Sequence, residues 1–362
     1  MTEAPTEVAA PVFTVDGELV RVLARDCRRL EIHEGVEGLR TLELTLRAVG
    51  AGDPGPPGGR LRHLDGSTVD LGRTLTVAIG PDTNQRRVFD GAVSALELVI
   101  PDGEPQAVVV LAEDALMRLR MARRSRTWTE VTDADLVTGI AHEHGLDADA
   151  VAEGPRYDVV QQLNQSDLAF LRDRARLLQA ELWCTGRTVH LHTRATRPGT
   201  TVELVRGAQL LSARFSADLS AQRHEVVVTG YDAFSRAAVS ERAGADVVAA
   251  EAGQGRSGGT LVARALGTVT GVRVRDVALN AQEAQAWARG EMLRRGRKFV
   301  TVSGVTNGTP DLVVGSRLSL RSVGEPFEGE GYYVTSIRHR FDLVRGLRTE
   351  FTAERPTLNE VA

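Results

Sequence analysis

Polar and apolar residues alternate strictly along Thr41-Leu42-Glu43-Leu44-Thr45-Leu46-Arg47-Ala48, which places three leucines on one face and predicts a half-buried strand. Beyond it, Ala51-Gly52-Asp53-Pro54-Gly55-Pro56-Pro57-Gly58-Gly59 is too rich in glycine and proline to continue any element and reads as a loop. Ser94 to Ile100 and Gln106 to Leu111 are apolar-rich runs around Pro101-Asp102-Gly103-Glu104, whose Asp-Gly pair signals a hairpin. The chain to about residue 115 therefore reads as an antiparallel sheet or small barrel.

The period changes between about 116 and 195. Thr132 and Asp135 form a capping box, Leu136, Val137, Ile140 and Ala141 share one helical face, and Gly145 ends the helix. Ser166 caps a second helix that carries Leu168, Leu171, Ala175 and Leu178 at helical spacing. Glu181 to Cys184 and Thr188 to His192, joined at Thr185-Gly186-Arg187, complete an α+β module with a hairpin. From 196 to 362 strands return. Glu225 to Thr229 and Val272 to Val274 are β-branched, and Asn280 with Glu283 caps one helix, near 280–295, carrying Trp287, Ala288 and Met292 and ending at Gly296. Residues 241–260, rich in Ala, Gly and Ser, read as a mobile loop.

The two ends of the chain resemble each other. At an offset of 241, Asp70-Leu71 falls on Asp311-Leu312, Val77 on Leu318, Ile79 on Leu320, Val93-Ser94 on Val334-Thr335, Leu96 on Ile337, Val110 on Phe351 and Ala112-Glu113 on Ala353-Glu354. Any two hairpins share a period of two, so alternation alone could arise by chance. The common hairpin length and the flanking Ala-Glu favour duplication. The fold class expected is α+β, mainly β: two related antiparallel β-barrel domains, 1–115 and 196–362, with an α+β insert at 116–195.

A family resemblance becomes specific at Tyr157-Asp158-Val159-Val160-Gln161-Gln162-Leu163-Asn164-Gln165-Ser166-Asp167-Leu168-Ala169-Phe170-Leu171-Arg172, followed by Leu178-Gln179-Ala180-Glu181-Leu182-Trp183. This stretch resembles phage late control gene D proteins and the N-terminal part of VgrG. Pro310-Asp311-Leu312-Val313-Val314-Gly315 and Gly331-Tyr332-Tyr333-Val334-Thr335-Ser336-Ile337-Arg338-His339 are similar to that family's final barrel. The resemblance spans about residues 12 to 355. It implies a structural, non-enzymatic baseplate hub of a contractile tail or injection system: a homotrimer whose doubled barrels offer six nearly equivalent surfaces to an inner tail-tube hexamer and a threefold face to a spike. Members similar to this chain continue into an oligonucleotide-fold domain and a β-helical needle. Because the sequence stops at Ala362, a separate spike protein is expected, alongside other baseplate partners.

Composition narrows the alternatives. The 362 residues carry 44 basic and 48 acidic side chains, a net charge of −4, which disfavours general or specific nucleic-acid binding. With 42% apolar and 25% charged residues the chain is neither disordered nor a coiled coil. Cys27 and Cys184, the two cysteines, lack metal-ligand spacing. Met1 to Pro11 shows no export signal and no apolar run is long enough for a membrane anchor, so cytoplasmic synthesis and assembly are expected. Lys298 is the single lysine, a composition bias rather than a binding signal.

Candidate chemistry is sparse. Gly253-Gln254-Gly255-Arg256-Ser257-Gly258, with Asp276 some twenty residues on, matches a dinucleotide fingerprint, but no βα series surrounds it. His142 with His144 and His190 with His192 are spaced i, i+2. The second pair shares a strand face, yet no further ligands are evident in the sequence, so no metal is expected. Arg118, Arg120, Arg123, Arg124 and Arg126 form the one basic cluster, read as a solvated junction in preference to an acidic-partner or nucleic-acid surface. No nucleophile elbow occurs. Leu64-Asp65-Gly66-Ser67-Thr68 lacks the pattern, and Asp133 and Asp135 read as helix-start acids. No catalytic or cofactor residues are assigned. A tail-associated cell-wall hydrolase with its site in 116–195 is the main alternative, and a nucleotide-binding enzyme a weaker one.

Overall fold

The computed structural model describes residues 10–48, 61–80, 85–251 and 253–361, and of 274–276 the backbone alone. The Gly/Pro-rich segment 51–59 and Met1 to Ala9 lie outside the described residues. In chain order the first part comprises β1 (Val12–Val15), β2 (Glu18–Leu19), α1 (Arg21–Asp26), β3 (Cys27–Gly35), β4 (Thr41–Arg47), β5 (Thr74–Ile79), β6 (Arg86–Val99) and β7 (Ala107–Glu113). Next come α2 (Met117–Arg120), β8 (Arg123–Val131), α3 (Asp133–Glu143), β9 (Asp147–Ala150), β10 (Tyr157–Ser166), α4 (Asp167–Leu178), β11 (Glu181–Thr185) and β12 (Thr188–His192). The last part comprises β13 (Thr201–Val205), β14 (Leu210–Ala217), β15 (Glu225–Asp232), β16 (Ala237–Gly244), α5 (Asp246–Ala249), β17 (Arg256–Ser257), α6 (Gly258–Leu266) and β18 (Thr270–Ala278). It ends with α7 (Ala281–Arg297), β19 (Val300–Asn307), β20 (Arg317–Arg321), β21 (Gly329–Asp342), β22 (Gly346–Arg355) and β23 (Thr357–Leu358).

The architecture is mainly β, with large antiparallel sheets. The two ends of the chain join in one 13-stranded sheet, ordered β14-β19-β22-β21-β3-β4-β7-β6-β5-β1-β2, with β20 and β13 branching from β21. Two separate barrels were expected. Among the described residues neither half closes on itself through strand pairing, because β3 pairs outward with β21 rather than back across its own half.

Within that sheet the repeat is legible strand by strand. The order β3-β4-β7-β6-β5 recurs as β14-β19-β22-β21-β20, each neighbouring pair antiparallel. A β-bulge falls between Val93 and Ala95 in one copy and between Val334 and Ser336 in the other. At the bulged residue the Ser94 hydroxyl donates to the Leu111 carbonyl at 3.3 Å, and the Thr335 hydroxyl to the Thr352 carbonyl at 3.3 Å. A chance pair of hairpins has no reason to share a bulge and its side-chain bond.

Over the aligned stretch the gap-free offset holds for β6 and β7 against β21 and β22 but fails at β5 against β20. Gly72 N–H donates to the Val93 carbonyl as Gly315 N–H donates to that of Val334, so Gly72 answers to Gly315, two residues beyond the uniform offset. Both glycines hold positive φ, +80° and +96°, where a Cβ is disfavoured. A shift of two leaves every side chain on its face, which is why the apolar phase survived the misalignment. The outermost strand differs: β1 is antiparallel to β5, whereas β13 is parallel to β20.

Three buried clusters form the cores. Phe13, Leu30, Ile32, Leu42, Leu44, Leu46, Phe89 and Val110 fill the first copy, and Phe299, Val302, Leu318, Tyr332, Ile337 and Phe351 the second. The third spans Leu136, Ile140, Tyr157, Leu171 and Leu191 of the middle segment together with Val226, Val228, Trp287, Ala288 and Met292. β15 and α7 of the C-terminal segment thus share a core with the insert, while Leu261 of α6 packs against the second copy.

The predicted caps hold. Thr132 accepts from Asp135 N–H and returns the capping box, Ser166 accepts from Ala169 N–H at 3.2 Å, and Asn280 accepts from Glu283 N–H at 2.9 Å. On α4, Phe170 and Leu177 are buried in place of the expected Leu178, because the chain turns left-handed at Gln179 and α4 packs against α7. The mobile loop expected at 241–260 is replaced by the end of β16, by α5 and by the start of α6. Ser257 caps α6 through Thr260 N–H at 3.2 Å, and Val262 is buried beneath it. Among the described residues no helix is long and apolar enough to cross a membrane.

Candidate functional site

The junction between the two copies has an internal counterpart. Along β3 and β21, Ile337 faces Glu34, His339 faces Ile32 and Phe341 faces Leu30. Ile337, His339 and Phe341 are all at most 5% exposed, and Phe341 enters the first copy's core. Glu31 receives Arg338 at 3.1 Å and Arg340 at 2.9 Å.

The copy-equivalents of these two strands are β6 beyond its bulge and β14. Both have one edge that no strand covers among the described residues. Leu96, Leu98 and Ile100 answer to Ile337, His339 and Phe341, yet Leu98 is 39% and Ile100 66% exposed. On β14, Ala213 and Phe215 answer to Leu30 and Ile32 through their pairing with Gly304 and Val302. The ion pair inverts: Glu97 stands where Arg338 stands, and Arg214 where Glu31 stands. Both are exposed.

Behind the junction lies a buried charge network. Arg197 donates to Glu181 at 3.1 Å and to Glu34 at 3.0 Å, and its guanidinium sits 4.2 Å over the Trp183 ring. Glu34 also holds Arg40, while Glu181 accepts from Tyr333 hydroxyl at 2.7 Å and lies 3.4 Å from Arg194, which bonds Glu354 at 2.6 Å. The network ties β3, β11, β21 and β22 together. No spacing in the sequence marks it.

The basic cluster is spoken for by acids and carbonyls. Arg120 pairs with Glu113, Arg123 donates to the Asn164 carbonyl at 2.7 Å, Arg124 meets Glu143 at 2.6 Å, and Arg126 bonds Asp167 at 2.9 Å with its guanidinium over Trp128. Arg118 is exposed. His142 is exposed, and His144 meets Asp167 at 2.8 Å. Asp135 serves the capping box. Asp133, by contrast, is buried and accepts from Arg174 at 2.6 Å and Tyr157 hydroxyl at 2.9 Å. Ser67 donates to Asp65 at 2.6 Å. Cys27 and Cys184 are free and buried, and burial pushes both thiols up to about 12.

At Gly253-Gln254-Gly255-Arg256-Ser257-Gly258 a helix, α6, does open, contrary to expectation. The strand before it is the two-residue β17, antiparallel to β23, so the parallel βαβ frame of a dinucleotide site is missing there. Side chains pack the turn: Gln222 lies against Gly258 and Ala245 against Gly259. His190 and His192 gain a partner the sequence did not display, Asp149 on β9, whose Oδ2 lies 2.9 Å from each ring. Asp149 is remote in sequence and meets them only because β9 runs parallel to β12.

This fold is that of tail proteins. The chain is similar to the 43 kDa tail protein of prophage MuSo2 from Shewanella oneidensis, with 14% identity, a TM-score of 0.67 and coverage of 96% of this chain and 98% of that one. A tail protein from Neisseria meningitidis gives 13% identity and a TM-score of 0.65 over 96% of each chain. An E. coli component of the type VI secretion system, itself described as structurally similar to bacteriophage tail proteins, gives 12% identity and 0.57 over 97% of this chain and 79% of that one. No curated protein sequence matches the chain. Residues 53–342 match the family model Alg8_N, the Alg8 N-terminal domain, and the chain belongs to that family.

Proposed function

We propose that the chain is a structural, non-enzymatic baseplate hub: two related barrel-like lobes, with the middle segment between them, that assemble as a homotrimer joining an inner tail tube to a spike. The reading draws on the resemblance to late control gene D and VgrG proteins and on the tail-protein fold.

One observation carries it: the intrachain β21–β3 junction has a vacant counterpart in the free edges of β6 and β14. Joining β6 of one chain to β14 of the next in the same register sets Leu98 opposite Phe215 and Ile100 opposite Ala213. Glu97 then lies diagonal to Arg214, which stands opposite Val99, a charge-swapped copy of the diagonal pair Arg338 and Glu31. Since β6 and β14 differ, the contact is head-to-tail, and such contacts generate rings when the rotation closes. Three chains then present six related lobes.

Burying Ile100, now 66% exposed, contributes about 2 kcal/mol per contact. Mass by light scattering, for the chain alone and with a candidate spike protein, tests the reading. Glu97→Arg should weaken the trimer, and Glu97→Arg with Arg214→Glu should restore it. A strict monomer that ignores both spike and tube protein overturns the hub reading. A trimer indifferent to both substitutions overturns the register alone.

A further inference from the structure

The Asp149, His190 and His192 cluster has a hydrogen-bonding pattern that is incomplete without a cation. The three donor atoms lie within 4.8 Å of one another. His192 Nδ1 lies 3.2 Å from the Thr196 carbonyl, which only accepts, so that nitrogen carries a proton. In the neutral ring Nε2 is then a lone pair. It points at Asp149 Oδ2 from 2.9 Å, a lone pair against a carboxylate, which is repulsive unless something positive lies between them.

His190 adds to the shortfall. Its Nδ1 also lies 2.9 Å from Asp149 Oδ2, so one carboxylate oxygen is asked to satisfy two imidazoles, while Nε2 is buried without a partner. The ring is held in place, stacked at 4.7 Å and 11° on Trp183. Arg197, on the Trp183 ring, is already paired with Glu34 and Glu181.

We infer that Asp149, His190 and His192 bind a borderline divalent transition-metal ion of the zinc class, through His190 Nδ1, His192 Nε2 and the Asp149 carboxylate. Two imidazoles and one carboxylate suit such an ion, at metal–ligand distances of about 2.0–2.2 Å reached by small side-chain rotations. The Thr196 carbonyl fixes the His192 tautomer from behind, as metal-ligating histidines require. Asp149 keeps 43% of its side chain exposed, which leaves a solvent side for entry and for a fourth, water ligand. Bound there, the ion would clip the edge strand β9 to the β11–β12 hairpin, a local role that holds whether or not the chain forms a ring.

The test uses the full chain without an affinity tag, stripped with chelator. Titration with Zn2+ at neutral pH should show one equivalent bound. Co2+ should give visible absorption of low-coordinate nitrogen and oxygen ligation. Asp149→Asn and His192→Gln should each weaken Zn2+ at least 30-fold, and His142→Asn, at an exposed histidine elsewhere, should not. Circular dichroism of each stripped variant checks folding, and His190→Gln serves as a second ligand variant if one of them unfolds. No stoichiometric Zn2+ uptake by the unaltered chain overturns the inference. So does binding unchanged by Asp149→Asn, or an NMR-detected doubly protonated His192 that Zn2+ does not displace.

Discussion

Replacing Arg197 with methionine should cost the fold about 3 kcal/mol. The side chain is 3% exposed, Glu34 is 3% and Glu181 4%, so the two carboxylates it bridges cannot turn to water when it leaves. Breaking a buried pair by removing one partner costs roughly 3–5 kcal/mol. The lower end applies here because neither acid is fully orphaned: Glu34 keeps Arg40, and Glu181 keeps the Tyr333 hydroxyl and Arg194. Three carboxylates, of Glu34, Glu181 and Glu354, face three guanidiniums, of Arg40, Arg194 and Arg197, so the loss leaves one uncompensated negative charge.

Urea unfolding followed by tryptophan fluorescence is the assay, since Trp183 lies directly under the guanidinium. For a chain of this size about 3 kcal/mol corresponds to roughly 4 °C in Tm. Arg197→Lys keeps the charge but loses the fork that spans both acids, and should fall between methionine and the unaltered chain. Adding Glu34→Gln to Arg197→Met should recover about 1 kcal/mol rather than cost more, because it removes the uncompensated charge. A methionine variant within about 0.5 kcal/mol of the unaltered protein, well inside the range of surface changes, would refute the reasoning.

Asp114 and His339 pull stability in opposite directions with pH. Burial pushes the Asp114 carboxyl from 3.8 up to about 7 and the His339 imidazole from 6.5 down to about 4. Between about pH 4 and 7 the folded chain holds a proton on Asp114 that the unfolded chain has released, so this group lowers stability as pH rises; His339 raises it between about 4 and 6.5, where the unfolded chain binds the extra proton. Asp114→Asn should therefore give a Tm that climbs with pH through that window more steeply than the unaltered protein, and parallel curves would count against it. A Cβ on Gly290 of α7 would sit 2.1 Å from the Leu177 carbonyl of α4, so Gly290→Ala should destabilise by about 1–3 kcal/mol in urea, and an unchanged midpoint would contradict that helix approach. Ser257→Ala should cost about 1 kcal/mol and some helical ellipticity through loss of the α6 cap, with no loss expected if 258–266 were a loop. Purified peptidoglycan should not be turned over by the chain; turnover abolished by substituting a carboxylate within 116–195 would promote the hydrolase alternative.

Local signals were legible and relational ones were not. Leu42, Leu44 and Leu46 lie on the buried face that their alternation requires, and the caps at Thr132, Ser166 and Asn280 form because each is a short-range hydrogen bond. The repeat was visible because strand phase tolerates even shifts, and for the same reason its two-residue slip at Gly72 and Gly315 was invisible. That Trp287 and Met292 pack with Leu136 and Leu171 is set by tertiary docking, which no local period encodes. Residues 241–260 looked like a loop by composition, yet Ser257 and Val262 suffice to fix a helix start and bury it. The His190 and His192 pair is plain in the sequence, but its third partner sits 41 residues away from His190 across a parallel strand pair.

The intrachain junction and the proposed interchain contact are two versions of one strand pairing, and this sets a physical condition on assembly. A head-to-tail contact closes into a ring only if each step turns by the right fraction of a circle; otherwise it grows into a filament. In a trimer of doubled lobes, half of the six steps are intrachain, and their angle is held by the β21–β3 ladder together with the Arg197 network behind it. Fixing that angle covalently leaves only three contacts to select the ring. The exposed counterpart edges are short and carry Glu97 and Arg214, opposite charges placed so that β6 attracts β14 and two like edges repel, which guards against indiscriminate edge pairing. Arg197→Met should then do more than destabilise. By loosening half the steps it should broaden the mass distribution in light scattering toward sizes other than three, whereas Glu97→Arg should shift it toward monomer without broadening. If both variants gave the same distribution, the intrachain junction would not be the element that sets the step.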